Sequence, residues 1–168
     1  FNIPENNKLC LYAPTFRDSL TFDNYNLDYS ELKNALQKKF GGTWTIITRF
    51  HFRIREFLKS KNFDKEIIDV SSYPDIQEIM TFIDAGITDY SSWICEYMLT
   101  RKPGFIYASD LELYQKNDRA FFFPLTKLSF PVSENNDELK NNILNFDNNH
   151  FINRCNDFLK EMNSFDDG

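Results

Sequence analysis

The segment Ile87-Thr88-Asp89-Tyr90-Ser91-Ser92 has the make-up of an anion site. It follows the short apolar run Ala85-Gly86-Ile87 and precedes an amphipathic stretch from Trp93 to Leu99. A strand that ends in hydroxyl side chains and opens a helix presents unpaired backbone N–H groups and the positive end of a helix dipole. Thr88, Ser91 and Ser92 have the hydroxyls to bind a phosphate; a plain N-cap is the other use of either serine. A second cluster, Arg49-Phe50-His51-Phe52-Arg53-Ile54-Arg55, is a positive island in an acidic chain. Arginine suits phosphate because its planar fork donates two parallel hydrogen bonds. His51 can donate to a phosphate oxygen or act as acid or base, since its reference pKa is about 6.5. The other reading of this cluster is a solvated basic turn.

Smaller signals accompany these two. Arg17 and Asp18 follow Ala13-Pro14-Thr15-Phe16 and serve either a ligand or a surface loop. Asp89 can orient a sugar hydroxyl or cap its own turn. Glu96, one turn further on, can accept from a ribose or face solvent. Asp75 reads first as a helix cap.

These residues need strands and helices to bring them together. Lys8 to Ala13 reads as a strand stopped by Pro14. Asp28-x-x-Glu31 resembles a capping box and opens a helix with Leu32, Ala35, Leu36 and Phe40 on one face, ended by Gly41-Gly42. Trp44 to Thr48 is a second strand, rich in β-favouring residues. A helix is expected within Phe52 to Ser60, and a short strand at Ile67, Ile68 and Val70. Asp75-x-x-Glu78 opens the next helix, with Ile76, Ile79, Met80 and Ile83 at helical spacing. Ala85 to Thr88 is a fourth strand, and Ser91 or Ser92 starts a helix buried through Ile94, Tyr97 and Met98. Phe105 to Tyr107 is a fifth strand, Leu111 to Lys116 a short helix, and Phe121 to Phe123 a sixth, weak strand. Helices follow from about residue 135 to 165, marked by Leu139 and Ile143 and then by Phe151, Cys155, Phe158, Leu159 and Met162. Strands alternating with helices imply an α/β fold with a parallel sheet. Ligands of such sheets sit beyond the carboxyl ends of the strands. The loops after Ala13, Thr48, Val70, Thr88 and Tyr107 therefore share one rim.

Composition narrows the function. At 168 residues, one domain with a substantial core is expected. The 18 phenylalanines suggest an aromatic core and an apolar face for a partner domain. The chain starts at Phe1 without a methionine and reads as a piece of a longer protein. A net charge of −6 argues against a nucleic-acid or anionic-membrane surface. Cys10, Cys95 and Cys155 are odd in number and widely spaced, which favours neither a zinc site nor a disulfide framework and fits a reducing compartment. No apolar run reaches membrane-spanning length. With 5 glycines and neither GxGxxG nor GxxxxGK[ST], the sequence argues against a standard dinucleotide site or P-loop. The GxSxG elbow of a serine hydrolase is missing as well. Metal ligands are not clustered, and no cofactor is expected.

Taken in order, five blocks resemble one known family: Leu11-Tyr12-Ala13-Pro14-Thr15-Phe16-Arg17-Asp18; Arg49-Phe50-His51; Asp69-Val70-Ser71-Ser72-Tyr73-Pro74-Asp75-Ile76; Ile87 to Ser92 with Glu96-Tyr97; and Lys102-Pro103 through Asp110-Leu111-Glu112 to Arg119-Ala120-Phe121. The family is the CDP-glycerol glycerophosphotransferases, teichoic acid polymerases and primases of bacterial envelopes. The resemblance implies a Rossmann-like parallel sheet with flanking helices, as the C-terminal, donor-binding half of a glycosyltransferase-B-like fold. It implies that an acceptor hydroxyl attacks the β-phosphorus of CDP-glycerol and that CMP leaves. It implies His51 as the catalytic residue, Ser91, Ser92, Arg17, Arg49 and Thr88 around the donor diphosphate, and Asp89, Glu96, Asp75 and Pro74 at the nucleotide or alcohol. The partners implied are CDP-glycerol, or CDP-ribitol, and a lipid-linked polyol-phosphate or glycan acceptor reached through another domain. The parent would work in the cytoplasm, peripherally on the inner face of the membrane. A further histidine of the family lies in its N-terminal domain and has no counterpart before Leu11, so this chain alone is expected to bind donor without turnover. Departures from the family pattern are Glu96 where aspartate is common, Ala120 for a usual glycine, and Gly104 for a bulkier residue. The alternative from a different class is a non-catalytic nucleotide-binding or interaction module.

Overall fold

The computed structural model describes residues 1–17, 25–51, 67–117 and 124–164. Six parallel strands form one sheet: β1 (Lys8–Tyr12), β2 (Trp44–Thr48), β3 (Ile68–Asp69), β4 (Ala85–Thr88), β5 (Gly104–Tyr107) and β6 (Val132–Ser133). Their spatial order is β3-β2-β1-β4-β5-β6. Chain direction across the sheet reverses between β1 and β4, the doubly wound arrangement in which a crevice opens at the switch point.

The α/β expectation holds, and so do the boundaries of most elements. Helix α1 (Tyr29–Phe40) is capped by the Asp28 carboxylate, which accepts from the Glu31 N–H at 2.9 Å. It stops at Gly41, whose φ of 68° favours glycine. Helix α2 (Ile76–Phe82) is capped by Asp75, which accepts from the Gln77 N–H. Glu78 does not complete a capping box; its carboxylate accepts from the Tyr73 hydroxyl instead. Helix α3 (Trp93–Tyr97) is short and runs into a 3₁₀ turn at Met98–Thr100 that Arg101 closes in the left-handed conformation, φ 57°. Helix α4 (Leu111–Asn117) follows β5, and α5 (Asn136–Leu144) and α6 (Asn148–Glu161) end the fold.

The two faces of the sheet are built differently. Strand residues alternate sides, so Tyr12, Trp44, Ile46 and Phe105 face α1 and α5, where Phe146 packs 5.4 Å from Phe105 and 5.8 Å from Phe40. The opposite face carries Gly86 and Gly104. A Cβ at Gly86 would lie 2.9 Å from the Trp93 and Tyr97 rings, and one at Gly104 only 2.4 Å from Phe130. Phe130 therefore fills the volume a bulkier residue would take at position 104. The strand expected at Phe121–Phe123 and the helix expected within Phe52–Ser60 lie outside the described residues. The sixth strand is Val132–Ser133, hidden in the sequence by its two-residue length and by Pro131 before it.

Candidate functional site at the switch point

Just past the last backbone pairing of β1 with β4, where the Ala13 N–H donates to the Ile87 carbonyl at 3.0 Å, side chains join the two loops. The Ala13 carbonyl accepts from the Thr88 hydroxyl at 2.8 Å and from the Trp93 indole N–H at 3.1 Å. Asp89, 2% exposed, accepts from the Thr15 N–H at 2.8 Å and from the Tyr90 N–H. Its other oxygen lies 2.8 Å from Nη2 of Arg17.

Arg17 is the centre of this assembly. It is 1% exposed, and its fork is divided among three acceptors. Nε and Nη2 donate to the two oxygens of Asp110 at 2.9 and 3.0 Å, and Nη1 donates to the Thr15 carbonyl at 2.6 Å. The guanidinium lies 4.6 Å from the Tyr90 ring and 5.0 Å from the Tyr114 ring, which stack on each other at 3.9 Å. The Tyr90 hydroxyl donates to Asp110 at 2.7 Å. Burial pushes the Asp89 carboxyl upward, against the pull of Arg17 and the two N–H donors. Burial opposes the Asp110 carboxylate too, but Asp110 is less enclosed, and hydrogen bonds from Arg17 and Tyr90 hold it below the usual range. Burial also lifts the Tyr25 phenol, to about 12.

Several sequence expectations change here. Thr88 is fully buried with its hydroxyl donated to Ala13, so its side chain faces the protein and not a phosphate. Asp89 is ion-paired inside the rim and is not placed to orient a sugar hydroxyl. Arg17 is enclosed by two carboxylates, so its charge is neutralised before any ligand arrives. Asp75 caps α2, and Pro74 contributes a backbone carbonyl that accepts from Arg49 at 3.4 Å. Glu96 is exposed and accepts from the Gln77 amide at 3.0 Å.

The remaining expected residues do stand at the rim. Ser92 occupies the cap position of α3 yet makes no side-chain cap bond. Among the described residues neither the Ser91 nor the Ser92 hydroxyl makes a hydrogen bond, and both reach solvent. The plain N-cap reading of this turn is not what forms. Arg49 donates to the carbonyls of Tyr73 and Pro74, and it has no carboxylate partner among the described residues. The Phe50 N–H donates to the Ser71 hydroxyl at 2.8 Å, which ties the loop after β2 to the loop after β3. His51 is exposed, with its ring 4.9 Å from Phe16 of the β1 loop. Hydroxyls on the loop after β4 and an arginine and a histidine on the loop after β2, with β1 between the two strands, are groups that can donate to an anion.

Sequence reasoning placed the loop after β5 on this rim but gave Asp110 no task. The signal was there: an acidic residue three positions past an apolar strand, and an arginine past another.

Strand order and a polar switch-point crevice put the chain in the Rossmann-like class of α/β proteins. The chain belongs to the CDP-Glycerol:Poly(glycerophosphate) glycerophosphotransferase family, whose match runs over residues 1–168. It is 36% identical over 124 residues to the teichoic acid poly(glycerol phosphate) polymerase of Staphylococcus epidermidis, covering 72% of this chain and 17% of that protein. It is 32% identical over 177 residues to the teichoic acid glycerol-phosphate transferase of Staphylococcus aureus, covering 99% and 44%. The structure of the wall teichoic acid polymerase TagF superposes with a TM-score of 0.75 at 29% identity, over 99% of this chain and 41% of TagF. A TagF variant soaked with CDPG matches similarly, with a TM-score of 0.74 at 30% identity, over 99% of this chain and 40% of that one. The chain thus spans less than half the length of these relatives. No helix among its described residues is long and apolar enough to cross a membrane.

Proposed function

We propose that this chain is the donor-binding part of a glycerophosphotransferase that moves glycerol phosphate from CDP-glycerol to a teichoic-acid-type or capsular acceptor. The observation that carries the reading is the pair of unbonded serine hydroxyls, Ser91 and Ser92, at the β1–β4 switch point of a member of this family. Arg49, with carbonyls as its only acceptors among the described residues, and His51 stand on the loop after β2, one strand away across β1.

In this reading the acceptor oxygen forms a bond to the β-phosphorus. The bond from that phosphorus to the bridging oxygen breaks, and CMP leaves with the electron pair. Negative charge grows on the phosphoryl and bridging oxygens. Ser91, Ser92, Arg49 and His51 donate to those oxygens, and donors fixed before the reaction lower the barrier most. The acceptor proton passes to a base in a part of the protein beyond these 168 residues. That part would also meet the acceptor, at the inner face of the membrane.

Titration calorimetry of the chain with CDP-glycerol and CMP tests the reading. Heat of binding is expected for both, and its absence from folded chain at about 1 mM ligand sinks the proposal. Ser92→Ala and His51→Ala should each weaken CDP-glycerol by about tenfold or more, the worth of a hydrogen bond to a charged group. Unchanged affinity in both variants would remove these residues from the site.

A further inference from the structure

Three rim loops meet at one buried guanidinium, and one of them leads into the Ser91 and Ser92 hydroxyls. Arg17 comes from the loop after β1, Asp89 and Tyr90 from the loop after β4, and Asp110 from the loop after β5. Ser91 and Ser92 follow Tyr90 directly. Helix α3 does little to hold them, since it is five residues long and lacks a side-chain cap. What fixes the start of the turn is Asp89, through the Thr15 and Tyr90 N–H groups, and the Tyr90 side chain, through Asp110 and the Tyr114 stack. Asp110 makes three of these contacts: two with Arg17 and one with Tyr90. A bidentate carboxylate–guanidinium pair sets an angle as well as a distance. Removing Asp110 thus leaves Arg17 to Asp89 and the Thr15 carbonyl, and takes away the hydrogen bond that sets the angle of the Tyr90 ring.

We propose that Asp110 is a positioning residue, which holds Arg17 and Tyr90 so that the Ser91–Ser92 turn faces the β1–β4 crevice. The inference rests on the donor-binding reading given above for the identity of the ligand, though not for the geometry. Asp110 touches no substrate; it acts through the loop that does. Misplacing a site by about 1 Å through its supporting contacts is enough to weaken it severely.

Asp110→Asn and Tyr90→Phe test this, with two readouts on the same chain. In Asp110→Asn, amide hydrogen exchange at Thr15 and Tyr90 should quicken by about tenfold, as local opening becomes easier, while Cys10 and Leu11 in β1 stay protected. CDP-glycerol affinity should fall by about tenfold, and CMP affinity by less than about threefold, because the turn meets the diphosphate and CMP lacks its second phosphate. Tyr90→Phe removes a single hydroxyl, keeps the fold, and should move both readouts the same way by less. Unchanged exchange at Thr15 and Tyr90 overturns the proposal, whatever the ligand does. Equal loss of both ligands with faster exchange throughout β1 also overturns it, since that is the mark of general destabilisation. If the unmutated chain binds neither ligand while the local exchange effect is present, the positioning role stands and the donor reading falls.

Discussion

Arg17 is held by charge at a depth where charge is costly. At 1% exposure, its guanidinium is tolerable only because Asp89 and Asp110 both reach it. Arg17→Ala would strand two carboxylates under the rim. A loss of about 3–5 kcal/mol is expected, readable by urea unfolding. A loss under about 1 kcal/mol would mean that water reaches the pair as it reaches a surface bridge. The same cluster makes stability depend on pH. Burial raises the Asp110 pKa, but Arg17 and Tyr90 outweigh it, so the folded chain binds the Asp110 proton less readily than the unfolded chain does. Its contribution is present above the ordinary aspartate range and is lost as pH falls through the lower, folded value. The stability gap between the unmutated chain and Asp110→Asn should therefore narrow on going from about pH 7 to about pH 3. A gap that stays constant over that span would refute the assignment.

At Gly86 and Gly104, strands β4 and β5 meet the layer above them without a side chain. Gly86 leaves room for the Trp93 and Tyr97 rings, and Gly104 for Phe130. The closer approach is at Gly104, where even an alanine methyl would sit 2.4 Å from the Phe130 ring. Gly104→Ala should cost about 1–3 kcal/mol through overpacking. Phe130→Leu in the same chain should recover part of that loss. Thermal unfolding of the two single variants and the double variant measures the coupling, and strictly additive effects would show that the ring and the methyl do not compete. This pairing explains how the fold accommodates a residue without a side chain at position 104. The contact at Gly86 also seats Trp93, whose indole then reaches the Ala13 carbonyl and closes the rim. Core packing and site geometry are thus coupled through one strand.

The fold gathers the loops at the carboxyl ends of its strands along one rim. Six strands and their helices form a continuous core, and the rim at the β1–β4 switch point faces outward. Relatives are more than twice as long as this chain. The 168 residues alone should bind CDP-glycerol yet release no CMP above background when mixed with a polyol-phosphate acceptor. A coupled assay for CMP measures this. Release at a rate typical of enzymes, about 1 per second or faster, would place the acceptor base within the chain.

Local patterns in the sequence were enough for the element types, the five strands from Lys8 to Tyr107 and the rim that gathers their loops. Caps such as Asp28 and Asp75, and the β-favouring residues of Trp44 to Thr48, involve neighbours within one turn or one strand, so they can be read directly. The Ser91–Ser92 turn and the Arg49–His51 pair were legible for the same reason. The fates of Arg17, Thr88 and Asp89 were not. Arg17 meets Asp110 across 93 residues, Thr88 meets Ala13 across 75, and Asp89 meets Thr15 across 74. Residue type and spacing say that such groups are polar and close to a strand end. Which of them turn inward to one another, and which are left facing a ligand, depends on how three loops converge once β1, β4 and β5 lie side by side.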